Sequence, residues 1–352
     1  MNLNGLIQPR LERIKNFYAG SRGVLINVGG IGGLRTLPGR PLNSWNFPED
    51  LRPYLDAGIG QAELHWAQRQ ELDDDLLPSV YPWFGIAEHS AIFGGEIKFE
   101  EVTSYHVPLI RDWGMLDSLV LSGDSKWFRM LMDGFEYLKE KTEGRFLLRL
   151  RGSYAPLDMA MVLRGMNNFL TDIYDYPDEL NRLLDLSVKA IKWSFENQQK
   201  IVGQLEGGYL TGMSVWVPGN SAGHISEDAS VLCSPDVYRE FGRPYTARLC
   251  AAYDNMLMHL HGAGKHAFAG IVSVPGINCV ELSNDPNCPG GLELLKEYGD
   301  ILEGKVILLH LNRKEIEENR SFLASKKLII DYEASSLEDA KSAVEMVRNS
   351  VS

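Results

Sequence analysis

Residues 255–283, NMLMHLHGAGKHAFAGIVSVPGINCVELS, hold the pattern on which the fold turns. An apolar run, NMLMHLH, ends in a glycine-broken loop, and a second apolar run, INCVELS, follows it. Two more runs, KVILLHL (305–311) and KLIIDYE (327–333), come next, separated by helical or loop segments. The last leads into the helical SLEDAKSAVEMVRN (336–349). Short apolar runs alternating with helices predict a parallel sheet covered by helices. With eight or so strands the natural closure is a (β/α)8 barrel, the TIM-barrel fold.

Upstream of this stretch the rhythm persists as far back as residue 144. GRFLLRLRGSYAPLDMAMVLRG (144–165) reads as strand, loop, helix, and GGYLTGMSVWV (207–217) as another strand. A long helix is predicted over 176–202, opened by Pro177 with Asp178 and Glu179 behind it. Ser234 and Pro235 form a helix start, as cap and first residue. The first 140 or so residues are irregular, and LDDDLLPSVYPWFGIAEHSAIFGGEIKFEEV (72–102) reads as a turn-rich excursion. GVLINVGG (23–30) reads as a strand entering a glycine loop. It is not a dinucleotide fingerprint, because Arg35 stands where the third glycine after Gly30 and Gly32 belongs. No composition shift marks a boundary, so residues 1–352 are expected to form one α/β domain with an elaborated N-terminal region.

Bulk composition narrows the function. A net charge of −12 argues against nucleic acid, whose phosphates need clustered Lys and Arg. No apolar run approaches the length of a membrane span, and the charged N-terminal residues lack a signal-peptide core. Cys233, Cys250, Cys279 and Cys288 are widely spaced, with no CxxC pair, which suits a reducing cytoplasm. A cytoplasmic enzyme acting on a small molecule is the expectation.

Strand periodicity then picks out candidate site residues. Residues i and i+2 project to one face, so His259 and His261 point together at the carboxyl end of their strand, where a barrel builds its active site. Two imidazoles there can donate to one metal ion, or simply bond backbone carbonyls or water. His310 with Asn312, Asp331 with Glu333, and Glu281 lie at the ends of later strands and suggest a lined cavity. Glu281 alternatively serves as a buried salt-bridge partner. Arg149 and Arg151 share a face in RFLLRLRGSY, a stretch that also contains Tyr154. They suit a substrate carboxylate or phosphate, or else an internal ion pair. Asp228 is a rim acid or an exposed loop carboxylate. His65 and His89 could join the site if their loops fold over the rim but are not counted among its residues, and Met256 and Met258 belong to the core.

From residue 144 onward the chain resembles the uroporphyrinogen decarboxylase superfamily, which includes corrinoid-dependent methyltransferases. The matching stretches are GSYAPLDMAMVLRGMNNFLTDIYDYPDELNRLL, ISEDASVLCSPDVYREFGRPY, MHLHGAGKHAFAGIVSVPGINCVELS and LIIDYEASSLEDAKSAV. DDDLLPSVYPWFGIAEHSAIFGGEI is similar to the early region of some uncharacterised branches. The resemblance implies a (β/α)8 barrel with its cavity at the carboxyl rim. The arginine-rich PVWxMRQAGR segment of the true decarboxylases is replaced here by SRGVLINVGGIGGLR. The methyltransferase branch binds zinc through HxC plus a cysteine on the last strand. On that pattern His259 is the first ligand, His261 replaces the cysteine, and Glu333, or Asp331, stands in for the last.

The expectation is therefore a metal-dependent, methyltransferase-like enzyme. His259, His261 and Glu333 would hold a divalent ion, zinc first, with His310 in reserve. Asp228, Glu281 and His310 would be the catalytic groups, and Arg149, Arg151 and Tyr154 would contact a small anionic or methylated substrate. A corrinoid, carried on a partner protein, is the implied methyl donor. Two alternatives stand beside it: a metal-free decarboxylase of a tetrapyrrole or other carboxylate-rich substrate, and a non-catalytic corrinoid- or tetrapyrrole-binding protein.

Overall fold

The computed structural model describes residues 3–33 and 38–351. Arg35, invoked against a dinucleotide fingerprint, lies outside them. Seven strands form one parallel sheet. Their spatial order is Gly23–Ile31, Lys327–Ala334, Val306–His310, Ile277–Leu282, Asn255–Leu260, Ser221–Ser226 and Ser153–Tyr154. Helices follow the strands along the chain, giving a TIM-barrel-like α/β arrangement.

Alternation sorts each strand's side chains into two cores. In one phase, Met256, Met258, Leu260, Val280, Leu282, Ile307, Leu309, Ile330 and Tyr332 pack beneath the helices. In the other, Leu25, Leu257, Cys279, Val306, Leu308 and Ile329 pack together with Leu11, Ile14 and Phe17 of the helix Asn4–Ala19. Both faces are covered, which is why these strands read as continuous apolar runs. A further apolar cluster, including Phe47, Trp66, Phe84, Trp127 and Phe135, consolidates the N-terminal region.

The acidic run Asp73–Asp75 has a structural use that its turn-rich surroundings conceal. Ile26 N donates to Asp75 Oδ2 (2.9 Å), Val28 N to Asp74 Oδ2 (3.0 Å), and Asp75 N to Ile26 O (2.8 Å). The unpaired edge of the first strand is thereby satisfied. Buried Arg10 and Arg69 pair with Asp74 and balance its charge. On the far side Ser79–Val80 pairs in parallel with Leu147–Leu148, and Ser153–Tyr154 then joins the Ser221–Ser226 strand.

Two strand expectations need correction. GGYLTGMSVWV is an antiparallel hairpin, Gly208–Leu210 with Trp216–Pro218, because Ser214 adopts a left-handed φ of 60° and turns the chain back. The sheet strand comes next, in SAGHIS (221–226), whose small and polar residues show no apolar run. RFLLRLRGSY is likewise split in two: Leu150 N bonds Leu210 O, and Arg151 N bonds the Gln198 side chain. The helix starts agree with the sequence. Pro177 opens Pro177–Val202, and Ser234 Oγ accepts from Val237 N at 3.2 Å.

Candidate metal centre

On the face away from the helices, the apolar layer of Leu25, Leu257, Cys279, Leu308 and Ile329 acts as a floor. Two residues further along each strand, the same face carries Asn27, His259, Glu281, His310 and Asp331. Backbone register fixes the neighbours: His259 lies opposite Glu281, and His310 opposite Asp331. A polar layer thus sits directly on an apolar plug at the carboxyl ends of the strands, the usual place for chemistry in this architecture.

Glu281 organises the layer. It is 2% exposed, and its two oxygens accept from different imidazoles: Oε2 from His259 Nδ1, Oε1 from His310 Nε2 at 2.9 Å. Burial pushes its carboxyl up, but the hydrogen bonds from His259 and His310 prevail and hold it at about 2. His310 also lies 3.3 Å from Asp331 Oδ2. Hydrogen bonds to Asp331 and Glu281 raise its imidazolium to about 10, against a smaller effect of burial.

His261 is held in the same manner by a residue the sequence reading passed over. Its Nδ1 lies 2.8 Å from Asp285 Oδ1, and Asp285 Oδ2 accepts from Gly262 N at 3.1 Å. Asp285 is four residues beyond Glu281 in ELSND, past the strand end, so strand parity does not point to it.

With each Nδ1 on a carboxylate, both Nε2 atoms turn inward, and they face each other at 2.9 Å. Asp228 Oδ1 lies 3.3 Å from His261 Nε2. Two ring lone pairs and a carboxylate oxygen at these separations call for a positive charge between them. Without a metal, a proton supplies it: hydrogen bonding to Asp228, opposed by burial and aided by Asp285, raises His261 to about 9. Among the described residues, Asp228, His259 and His261 are the group whose donor atoms all lie within 4.8 Å of one another. Divalent zinc holds nitrogen at about 2.0–2.1 Å, which sets neighbouring donors roughly 3 Å apart. An imidazole whose second nitrogen donates to a carboxylate is the usual metal-ligating form. The donor set fits a divalent ion.

The third donor differs from the sequence expectation. Glu333 is exposed, and its carboxylate lies over the backbone of Gly29 and Gly30. Two strands separate its own strand from that of His259, so at about 4.8 Å per strand the gap is roughly 14 Å. Asp228 follows the strand next to the histidines and needs no such reach. Its loop is anchored from below, where Asp158 accepts from Asp228 N (2.8 Å) and Ala229 N (2.7 Å).

The two arginines occupy different settings. Arg151 is 3% exposed and paired with Glu88, its Nε 2.9 Å from Oε1 and its Nη2 also donating to Gly85 O. That pair closes it to a substrate anion. Glu88 lies in the irregular N-terminal region, 63 residues away, where no local pattern reveals it. Arg149 stacks on Tyr81 and has no carboxylate among its hydrogen-bond partners. Tyr154 is buried, packs edge-on against His89 at 5.3 Å, and lines a cleft of about 280 Å³. That cleft runs from Asp228 past Met161, Val162 and Met166, with Ile86 and Tyr105 at its margin. His65 lies away from the histidine pair, against Arg69. His224, also missed, sits on the inner face between Gly152 and Gly212, where only glycine leaves room: a Cβ at Gly152 would fall 2.1 Å from the ring.

Among the described residues no helix is long and apolar enough to cross a membrane. No family model matches the chain, and no curated protein does. Among solved structures it is similar to a methyltransferase from Methanosarcina mazei, at a TM-score of 0.62 and 14% identity, over 97% of each chain. At that identity the likeness speaks for the fold, and the shared architecture covers nearly the whole of both proteins.

Proposed function

We propose that the protein is a divalent-metal-dependent methyltransferase with Asp228, His259 and His261 as ligands. The observation that carries this reading is the pair of Nε2 atoms facing each other at 2.9 Å, each ring fixed through Nδ1 by its own carboxylate. The likeness to the Methanosarcina mazei protein and the superfamily resemblance bring methyl transfer into the reading. A corrinoid-bound methyl group is the donor we propose, offered from outside the rim. The exposed side chains of Ile86, Tyr105 and Met166 beside the cleft give an apolar face for it. We also take the sheet as a closed (β/α)8 barrel, supported by the hydrogen bonds of residues 74–80 and 147–154.

A bound ion would supply Lewis acidity, holding an acceptor heteroatom as its conjugate base. Glu281 and Asp285 keep the Nδ1 protons in place, so both rings present lone pairs to one point. His310, cationic between Glu281 and Asp331, has a carboxylate at each ring nitrogen and places positive charge at the rim. Tyr154 and the apolar wall of Met161, Val162 and Met166 receive the body of the substrate and exclude water from one side.

Metal analysis of protein purified without chelators tests the ligand set. We expect about one zinc or manganese per chain, lost in Asp228→Asn and His261→Ala and retained in Glu333→Gln. Wild-type protein that takes up neither ion, or a Glu333→Gln variant that loses it while Asp228→Asn does not, refutes the assignment. Transfer of the methyl group of methylcobalamin to a thiol panel then tests the chemistry.

A further inference from the structure

We infer that Arg149 anchors an internal subsite for a small monocarboxylate. The residue is 7% exposed, yet no carboxylate pairs with it among the described residues. Nη1 donates to Gly212 O (3.1 Å) and Ser214 Oγ (2.5 Å), the guanidinium lies 3.9 Å from the Tyr81 ring centre, and Nε has no acceptor. Burying a cation without an anion is costly. The neighbouring Arg151 shows the ordinary remedy, its ion pair with Glu88. Arg149 lacks that remedy and faces a cavity instead.

The cavity has a volume of about 80 Å³ and is lined by Arg149, Asn27, Ser79, Ser214, His65 and Asp331, among others. One water needs on the order of 10–15 Å³ by the same measure, so the space admits a small ligand. Ser214, which places its hydroxyl on Arg149, sits at a left-handed φ of 60°, a backbone state uncommon outside glycine. Charge selects the ligand class. Asp331, on the same cavity, is itself a carboxylate and is tied to His310. With one unpaired guanidinium to neutralise and the Asp331 carboxylate on the same wall, a monoanion is favoured over a dianion such as phosphate. Asp331 joins this cavity to the polar layer, because His310 lies 3.3 Å from it and also donates to Glu281. This deepens the proposed function by giving its substrate a carboxylate, and it rests on that reading for the carboxylate's purpose. Anion binding itself needs no metal.

The test uses metal-free full-length protein, with sodium acetate as probe and sodium chloride and inorganic phosphate at matched ionic strength as comparators. Scanning fluorimetry and titration calorimetry provide the readouts. At about ten times its dissociation constant, acetate is expected to raise Tm by about 2 °C, with chloride and phosphate giving less. Arg149→Met is expected to abolish the response while zinc binding persists. Ser214→Ala, a gentler change, is expected to weaken acetate binding several-fold and guards against misfolding of the first variant. Equal shifts from chloride or phosphate, or undiminished acetate binding in both variants, would overturn the subsite. Zinc binding that survives such a result leaves the metal centre standing. Acetate protection in a wild-type protein that binds no metal sinks the metal centre alone.

Discussion

Replacing Glu281 by glutamine probes the layer at its hub. The carboxylate accepts from two imidazoles while 2% exposed, and its pKa falls from the usual 4.5 to about 2 despite the opposing effect of burial. At 1.36 kcal/mol per unit this is roughly 3 kcal/mol favouring the ionised native form. A depressed carboxylate contributes its stability above pH 4.5 and loses it as pH falls toward 2, so the whole term is present at pH 7. The raised pKa of His310 reports the same contact from its other side, and the two shifts are not summed. Glutamine keeps the shape but has one acceptor and one donor end. If the amide N–H₂ faces His259 Nδ1, that ring must carry its proton on Nε2, the atom assigned to the metal. If it faces His310 instead, His259 donates to a neutral acceptor and becomes a weaker ligand. Either arrangement is expected to lower zinc affinity about 10–100-fold, the usual cost of removing such a partner. Competition with a chromophoric chelator measures the affinity, and urea unfolding of the metal-free protein at pH 7 measures the loss of roughly 3 kcal/mol. A variant that binds zinc as tightly as wild type would refute the placement of Glu281 behind His259.

Three further outcomes follow from the same layer. Leu257→Ala, in the apolar floor beneath His259, should cost about 2–5 kcal/mol in urea unfolding and loosen the metal site with it. Gly152→Ala drives a methyl group into the His224 ring, which Gly212 confines from another side. It should destabilise by about 1–3 kcal/mol, whereas Gly30→Ala meets only the movable end of Glu333 and should cost far less. Burial, reinforced by the Arg151 charge, lowers the His224 imidazole to about 3. The folded protein therefore takes up fewer protons there than the unfolded chain below pH 6.5, and stability declines as pH falls from that point. Urea unfolding should show about 1–2 kcal/mol more of this loss between pH 7 and 5 in wild type than in His224→Asn.

Much of the framework was legible in the chain itself. NMLMHLH, INCVELS, KVILLHL and KLIIDYE become adjacent parallel strands, and parity within each strand paired His259 with His261, His310 with Asn312 and Asp331 with Glu333, while the register between strands set His259 opposite Glu281 and His310 opposite Asp331. These readings succeed because strand geometry is local: a two-residue repeat in sequence is a two-residue repeat in space. SAGHIS escaped notice because a strand of small and polar residues has no such signature, and GGYLTGMSVWV misled because one left-handed residue turned a single apolar run into a hairpin. Which acid meets the histidines was decided only by tertiary structure. Asp228, just past its strand, and Glu333, near the end of its own, are both acids at carboxyl strand ends, and nothing in their immediate neighbours distinguishes them. Strand order does, setting one beside the 255–260 strand and the other across two intervening strands. Asp285 behind His261 and Glu88 beneath Arg151 belong to the same class. Their partners lie 24 and 63 residues away, and separations of that kind are set by how helices and loops pack, not by any local periodicity.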